Sequence, residues 1–206
     1  MKQIAQDLLQ INAVALSPQK PFVWASGIKS PIYCDNRLTI SYPKIRRRIA
    51  QGLAALIKKS FPGTEVIAGT ATAGIPHAAW VAAELNLPLV YVRSKPKDHG
   101  QGRQIEGVLK AGQKTILIDD LISTGGSVLK AVAASQKEGA DVIGVCGIFS
   151  YQLNAAEDNF AAAKIPFETL TNYGELIDVA EERSLITAEE KGLLKKWRQN
   201  PEHWLK

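Results

Sequence analysis

Short apolar segments alternate with amphipathic segments along most of the chain. The predicted strands cover 65–68, 89–92, 115–118, 142–149 and 167–171. Apolar residues at helical spacing predict helices that begin near Pro43, with Ser41 as N-cap, and near Pro76. A third helix is predicted over 126–137 and is ended by Gly139. Strands that alternate in this way with helices predict an α/β fold, with a Rossmann-like parallel sheet flanked by helices.

The predicted sheet indicates where the chemistry lies. In parallel sheets, ligands bind beyond the carboxyl ends of the strands, where the chain turns into the following helix. The relevant loops are at 69–75, 93–105, 119–126 and about 149–152.

The loop after the strand at 115–118 has the composition of a phosphate site. Glycines let the backbone approach a ligand, hydroxyl groups add donors, and the N–H groups of a helix start attract anions. The chain has no GxxxxGK[ST] pattern, which excludes a Walker-type nucleotide loop. The residues concerned are Leu121, Ile122, Ser123, Thr124, Gly125, Gly126 and Ser127.

Two adjacent carboxylates, Asp119 and Asp120, precede this loop. Carboxylates repel phosphate, so they are expected to face another part of the same ligand. Sugar hydroxyls, which donate to carboxylates, or a bridging Mg²⁺ would resolve the conflict. The alternative is that one aspartate caps the helix while the other is a solvated loop charge.

A basic loop at 93–103 follows another predicted strand. It carries Arg93, Lys95, Lys97, His99 and Arg103 together with glycines that permit large backbone movements. Such a loop can close as a lid over a polyanion, neutralise it and exclude water. The alternative is an exposed basic loop without a function in binding.

A third loop, at 69–74, consists of small residues between a strand and a helix. Thr72, Ala73 and Gly74 would let backbone amides approach a second phosphate group. The same composition is also typical of a tight packing turn.

Composition and charge narrow the class of partner. The chain has 206 residues, enough for one sizeable core, and a net charge of +5 calls for an acidic partner. A nucleic acid is favoured by the arginines at 46–48, and a small phosphate ester by the basic loop. The arginine run is also typical of a solvated helix face.

Other features bear on the cellular setting. No apolar run approaches the ~20 residues of a membrane helix, and the N-terminal segment does not have the pattern of a signal peptide. Cys34 and Cys146 form no CxxC pair, which favours reduced thiols and argues against zinc. We therefore expect a cytoplasmic protein without a membrane partner.

Together these residues resemble the type I phosphoribosyltransferases, whose 13-residue signature corresponds to 115–127 in this chain. The resemblance implies 5-phosphoribosyl 1-diphosphate (PRPP) as substrate and Mg²⁺ as cofactor. Asp119 and Asp120 would bind the ribose 2- and 3-hydroxyls, directly or through Mg²⁺. Within the PRPP-binding segment 121–127, residues 123–127 would hold the 5-phosphate, and Thr72, Ala73 and Gly74 would hold the pyrophosphate.

Two further segments resemble the orotate phosphoribosyltransferases within that family. Segment 22–37 is similar to the N-terminal hood that covers orotate, and the lid at 93–102 contains Lys-Asp-His-Gly at 97–100. The resemblance implies that Arg93, Lys97 and His99 stabilise the departing pyrophosphate. It also implies a homodimer in which each lid closes over the neighbouring site.

The sequence departs from the family pattern around orotate and in the lid. Ser94 stands where many members have lysine, and Tyr151 or a neighbour replaces an arginine that contacts the orotate carboxylate in some relatives. The candidates for contacts with orotate are Ser123, Lys29, Tyr33, Cys34 and Tyr151. For the orotate carboxylate they are Lys29, Arg37 and backbone amides near Tyr33 and Cys34.

The resemblance therefore implies transfer of the phosphoribosyl group from PRPP to N1 of orotate, in a chain that does not act on nucleic acid. We expect a single domain at 1–206, with a hood at about 1–40 plus C-terminal contributions and a core at about 41–175. The alternatives are a phosphoribosyltransferase for another nucleobase and a PRPP-sensing regulator that binds nucleic acid.

Overall fold

The computed structural model describes residues 2–24, 27–96, 104–201 and 203–204. The helices are α1 (Lys2–Gln10), α2 (Pro43–Ser60), α3 (Gly74–Leu85), α4 (Gly126–Lys137), α5 (Asn154–Ala163), α6 (Tyr173–Glu182) and α7 (Ala188–Gln199), with a 3₁₀ helix at Asn36–Ser41. The strands are β1 (Val14–Leu16), β2 (Phe22–Val23), β3 (Lys29–Ser30), β4 (Ile32–Cys34), β5 (Val66–Thr70), β6 (Leu89–Val92), β7 (Ile105–Glu106), β8 (Lys114–Ile122), β9 (Asp141–Ser150) and β10 (Phe167–Asn172).

A six-stranded sheet with the order β10-β9-β8-β5-β6-β7 forms the centre of the molecule. All pairs within it are parallel except the edge pair of β6 with β7. Every residue of β5 is buried, as expected for a strand that helices cover on both faces. The predicted α/β architecture is confirmed.

The strand β8 extends further than the prediction of 115–118. It continues through Asp119 to Ile122, because its parallel pairing with β9 continues to the pair Ile122–Ser150. The acidic pair therefore lies in the strand, and the loop itself is reduced to 123–125. The pattern of apolar residues ends at Asp119, and the prediction therefore ended the strand there. Backbone pairing does not depend on the side chain and continues further.

The helix α2 begins at Pro43, as predicted, but its N-cap is Tyr42. The prediction of Ser41 as N-cap is wrong, because Ser41 is the last residue of the 3₁₀ helix.

The helices α5 and α6 were not predicted. In α5 only Ala156 and Phe160 are buried, which leaves little apolar periodicity to detect.

The N-terminal region packs against the C-terminal helices. The helix α1 contacts α6, and Lys2 forms an ion pair of 2.7 Å with Glu182. The fully buried Trp197 of α7 donates from Nε1 to the carbonyl of Lys29 in β3 at 3.0 Å. This bond attaches the β2–β3 pair to α7.

Two of the three arginines at 46–48 make contacts within the fold. The guanidinium of Arg46 lies 5.0 Å from the ring centroid of Trp80 and donates to a backbone carbonyl at 2.8 Å. Arg48 donates to both carboxylate oxygens of the buried Asp7. These contacts give the arginine run a role in packing.

Both cysteines, Cys34 and Cys146, are free and buried. Burial raises the pKa of each thiol, so both stay protonated at neutral pH.

In the described part of the chain, no helix has the length and apolar character that crossing a bilayer requires.

Candidate active site

A cavity of about 420 Å³ opens at the carboxyl edge of the sheet, between the ends of β5 and β6 and the start of α4. Its volume falls within the range of small-molecule sites. The residues that line it are Thr70, Ala71, Val92, Arg93, Ser94, Gln104, Gly126, Ser127, Lys130 and Ala131.

The acidic pair lies at the end of the neighbouring strand β8. Asp119 is 8% exposed, and its Oδ1 accepts from the backbone N–H of Asp120 at 3.0 Å. Burial, together with the adjacent charge of Asp120, raises the pKa of Asp119, and burial also raises the pKa of Asp120. The pair therefore favours partners that compensate its charge, such as hydroxyl donors or a cation.

The turn from β8 into α4 depends on Gly125. Its φ of +76° is left-handed, and a Cβ there would lie 2.5 Å from Cε2 of Phe160. Thr124 is held by Asn159, whose amide donates to the Thr124 carbonyl at 2.9 Å. No described side chain caps the start of α4, so its first N–H groups are available to an anion.

The loop at 71–73 leads into α3, whose start also has no side-chain cap among the described residues. Two glycines near this loop, Gly69 in β5 and Gly74 at the start of α3, are required by packing. A Cβ on Gly69 would lie 2.9 Å from Cα of Ile75, and one on Gly74 would lie 2.3 Å from the carbonyl oxygen of Ile118. The two glycines thus allow the tight packing turn that the sequence analysis gave as the alternative. The same packing places the loop against Asp119.

The base of the basic loop is closed by a pair of hydrogen bonds. The N–H of Arg93 donates to the carbonyl of Gln104 at 2.9 Å, and the Gln104 side chain donates to the Arg93 carbonyl at 2.7 Å. The Arg93 guanidinium lies 3.5 Å from Glu106. The predicted lid residues Lys97 and His99 lie outside the described residues.

Comparison with known proteins decides the family. A model of the phosphoribosyl transferase domain matches residues 41–180. The chain is 66% identical over 201 residues to the orotate phosphoribosyltransferase of Lactiplantibacillus plantarum, a match that covers 98% of this chain and 95% of that protein. This chain belongs to the orotate phosphoribosyltransferase family.

Solved structures of the family have the same fold. The orotate phosphoribosyltransferase of Aeropyrum pernix superposes with a TM-score of 0.76 at 25% identity, covering 89% of this chain and 99% of that one. The UMP synthase of Leishmania donovani superposes with a TM-score of 0.79 at 26% identity and covers 95% of this chain, which spans 42% of that protein. The predicted family and its fold are confirmed.

The candidate orotate residues of this family member divide into two groups. Cys34 and Tyr151 are 7% and 3% exposed, and Tyr151 packs against Trp24 with ring centroids 5.1 Å apart. Tyr33 is exposed, as is Lys29, while Ser123 is half-buried in the loop after β8. Tyr33, Lys29 and Ser123 therefore have side-chain surface for a ligand, whereas the side chains of Cys34 and Tyr151 are buried. A contact through the backbone amide of Cys34 stays a prediction.

The sixth candidate, Arg37, is exposed but already paired. Its Nε and Nη2 donate to the two carboxylate oxygens of Asp35 at 2.6 and 2.8 Å. A ligand carboxylate at this point would compete with Asp35 for the guanidinium.

Two cavity residues of this family member were missed by sequence reasoning. The Oγ1 of Thr70 is buried and has no hydrogen-bond partner within the described residues. Lys130 lies three positions after Ser127, and helical spacing puts both on one face of α4. That spacing was visible in the sequence, whereas the state of Thr70 depends on tertiary contacts.

Proposed function

We propose that this chain transfers the 5-phosphoribosyl group of PRPP to N1 of orotate, giving orotidine 5′-monophosphate and pyrophosphate in pyrimidine biosynthesis. The observation that carries the proposal is the acidic pair Asp119–Asp120, which lies between two uncapped helix starts at one edge of the sheet. A phosphorylated ribose that also carries a pyrophosphate presents its hydroxyls between two anionic groups. The hydroxyls would then face the acidic pair, and each anionic group would face one helix start.

The donor is bound by three elements in this scheme. Asp119 and Asp120 accept hydrogen bonds from the ribose 2- and 3-hydroxyls. Residues 123–127 hold the 5-phosphate at the start of α4, where backbone N–H groups are free. Thr72, Ala73 and Gly74 hold the pyrophosphate at the start of α3, and the unpartnered hydroxyl of Thr70 borders the cavity beside them.

The acceptor lies under the hood. Ser123 and the exposed side chains of Lys29 and Tyr33 are the groups with surface available for orotate. Cys34 and Tyr151 contribute through position, because both are buried.

Catalysis depends mainly on positioning and on charge. Departure of pyrophosphate leaves oxocarbenium character at C1, so groups that stabilise the leaving negative charge lower the barrier. Arg93 lies at the cavity, and Lys97 and His99 would complete the positive charge when the lid closes. No protein nucleophile is required, and closure excludes water from the electron-poor ribose.

The donor set fits Mg²⁺ that is held largely by substrate. The described residues contain no cluster of three or more metal-ligating side chains, whereas Mg²⁺ commonly takes one or two carboxylates and completes its shell with phosphates and water. Asp119 or Asp120 would supply the protein ligand. The ion would supply positive charge that stabilises the departing pyrophosphate.

A homodimer with shared lids is part of the proposal and rests on the resemblance. It is tested by mixing two inactive variants, Lys97→Ala and Asp119→Asn. If lids are exchanged, each hybrid dimer contains one intact site, and random mixing restores about a quarter of the wild-type activity. Lids that act within their own subunit would leave the mixture inactive.

The reaction itself is tested by mixing the chain with PRPP, orotate and Mg²⁺ and following the loss of orotate absorbance in the ultraviolet. Parallel assays contain uracil, adenine or hypoxanthine. Turnover of another base without turnover of orotate would favour a phosphoribosyltransferase of different specificity. PRPP binding without turnover of any base, together with binding of RNA or DNA, would favour the regulator.

A matched pair of variants ties the activity to the acidic pair. We expect Asp119→Asn to lower kcat/KM for PRPP at least about tenfold, because the amide is a weaker acceptor and carries no charge. Asp141→Asn is the control, since Asp141 is exposed and begins β9 at the opposite edge of the sheet. Equal activity of the two variants would contradict the assignment.

A further inference from the structure

A buried amide links the hood to the acidic strand end. Asn36, the first residue of the 3₁₀ helix, is fully buried, and its Nδ2 donates to the carbonyl of Asp120 at 2.5 Å. The two residues are 84 positions apart in the chain. This bond attaches the hood directly to the strand end that carries the carboxylates.

The carbonyl of Asp120 needs this donor because of the strand order. The strand β5 pairs with β8 only as far as Ile118 and then turns into the loop at 71–73. Beyond that point β8 is paired only with β9, as far as the pair Ile122–Ser150, and β5 offers no donor to the Asp120 carbonyl, which accepts from Asn36 instead. A buried carbonyl without a partner is destabilising, and the hood amide replaces the missing strand.

A second contact fixes the orientation of the amide. The thiol of Cys34 lies 3.3 Å from Oδ1 of Asn36 and donates to it. Burial raises the pKa of this thiol well above its usual value, so the proton remains available. With Oδ1 engaged as an acceptor, Nδ2 is the atom directed at the Asp120 carbonyl.

The same buried cluster reaches the helix that follows the loop at 71–73. The hydroxyl of Thr39 donates to the carbonyl of Asn36 at 2.6 Å and lies 3.4 Å from Nε2 of His77 in α3. Because the Thr39 proton is used on Asn36, Nε2 of His77 is the donor in the second contact. Thr39 and His77 are both at most 1% exposed.

We propose that Asn36 and Thr39 are positioning residues for PRPP, and the proposal rests on the proposed function. Asn36 holds the end of β8, and Thr39 holds α3 and the loop that precedes it. Together they set the spacing between the acidic pair and the loop at 71–73 without touching the substrate. The hood thereby contributes to donor binding as well as to binding of the base.

Thr39→Val tests this role, because valine has a similar shape and removes both hydrogen bonds. We expect the Kd for PRPP, measured by calorimetry with Mg²⁺, to rise at least about fivefold, since small displacements of binding groups have large effects. The KM for orotate should stay within about twofold of wild type. Thr39→Ser keeps the hydroxyl and should restore PRPP affinity.

Thr171→Val is the matched control. Thr171 is also fully buried, and its hydroxyl donates to Glu175 at 2.8 Å in a different part of the molecule. It should lose a similar amount of thermal stability and keep wild-type PRPP affinity. An unchanged PRPP Kd in Thr39→Val, or equal changes in both variants, would overturn the proposal.

Two further outcomes are distinguishable. If Thr39→Val does not fold, His77→Leu removes the donor to Thr39, keeps the bond from Thr39 to Asn36, and should show the same rise in PRPP Kd. Failure of both variants to fold would overturn the positioning role. If the wild type binds PRPP but does not convert orotate, the proposed function fails. The comparison of PRPP affinities still decides the role of Thr39.

Discussion

Gly74 and Ile118 are so close that a Cβ on the glycine would lie 2.3 Å from the isoleucine carbonyl oxygen. The same Cβ would lie 3.3 Å from Cα of Asp119. The neighbouring atoms are backbone in a central strand and cannot move aside. The absence of a side chain at residue 74 therefore sets the distance between the loop at 71–73 and the acidic pair.

We expect Gly74→Ala to lower kcat/KM for PRPP at least about tenfold and to reduce the free energy of unfolding by about 1–3 kcal/mol. Steady-state kinetics and urea denaturation provide the two measurements. Gly192→Ala is the control, because a Cβ there has no neighbour within 4 Å and the residue lies within α7. Wild-type kinetics in Gly74→Ala would show that the loop tolerates displacement.

Trp197→Phe tests the attachment of the hood to the last helix. The change keeps an aromatic ring near Trp24 but leaves the Lys29 carbonyl without its donor, at an expected cost of about 1–3 kcal/mol. Since the proposed site for orotate lies under the hood, the KM for orotate should rise more than the KM for PRPP. Trp204→Phe, in a half-buried tryptophan near the C-terminus, should change neither constant.

Because His77 is buried, we expect the protein to lose stability in acid. Burial lowers the pKa of His77 from 6.5 to about 4, so below pH 6.5 the unfolded chain takes up a proton that the folded chain refuses. The contribution is complete above that pH and decreases as pH falls towards 4. Between pH 7 and 5 it should remove about 2 kcal/mol from the free energy of unfolding.

Urea denaturation at both pH values, in wild type and His77→Gln, isolates this effect. The variant lacks the titrating group, so between pH 7 and 5 its free energy of unfolding should fall by about 2 kcal/mol less than that of the wild type. Contributions from other groups cancel in the comparison. Parallel pH dependence in the two proteins would contradict the assignment.

Lys97→Ala should lower kcat at least about tenfold while the melting temperature stays unchanged, because the proposed role of this lysine is to stabilise the leaving pyrophosphate. Lys97 lies outside the described residues, so this prediction depends on the sequence and the resemblance. Lys195→Ala, which removes an exposed lysine of α7, is the control. Unchanged turnover in Lys97→Ala would refute the role of the lid.

The elements that could be predicted are those with a strong local pattern. The helix α4 was predicted with its observed bounds, Gly126–Lys137, because a glycine-rich start and a terminal glycine enclose one amphipathic segment. The end of β8 was placed too early, because the pattern of apolar residues ends before the pairing does. The helix α5 has few buried residues and was missed.

The sequence by itself predicted five of the six strands of the central sheet, the candidate phosphate-binding loop after β8 and the acidic pair beside it. These follow from periodicity and turn chemistry, which are properties of neighbouring residues. Only the tertiary structure decided that Asn36 meets Asp120, that Gly74 must lack a side chain and that Cys34 and Tyr151 are buried. Such contacts depend on the order of strands in the sheet and on where β5 ends, and residues far apart in the chain carry no local signal of them.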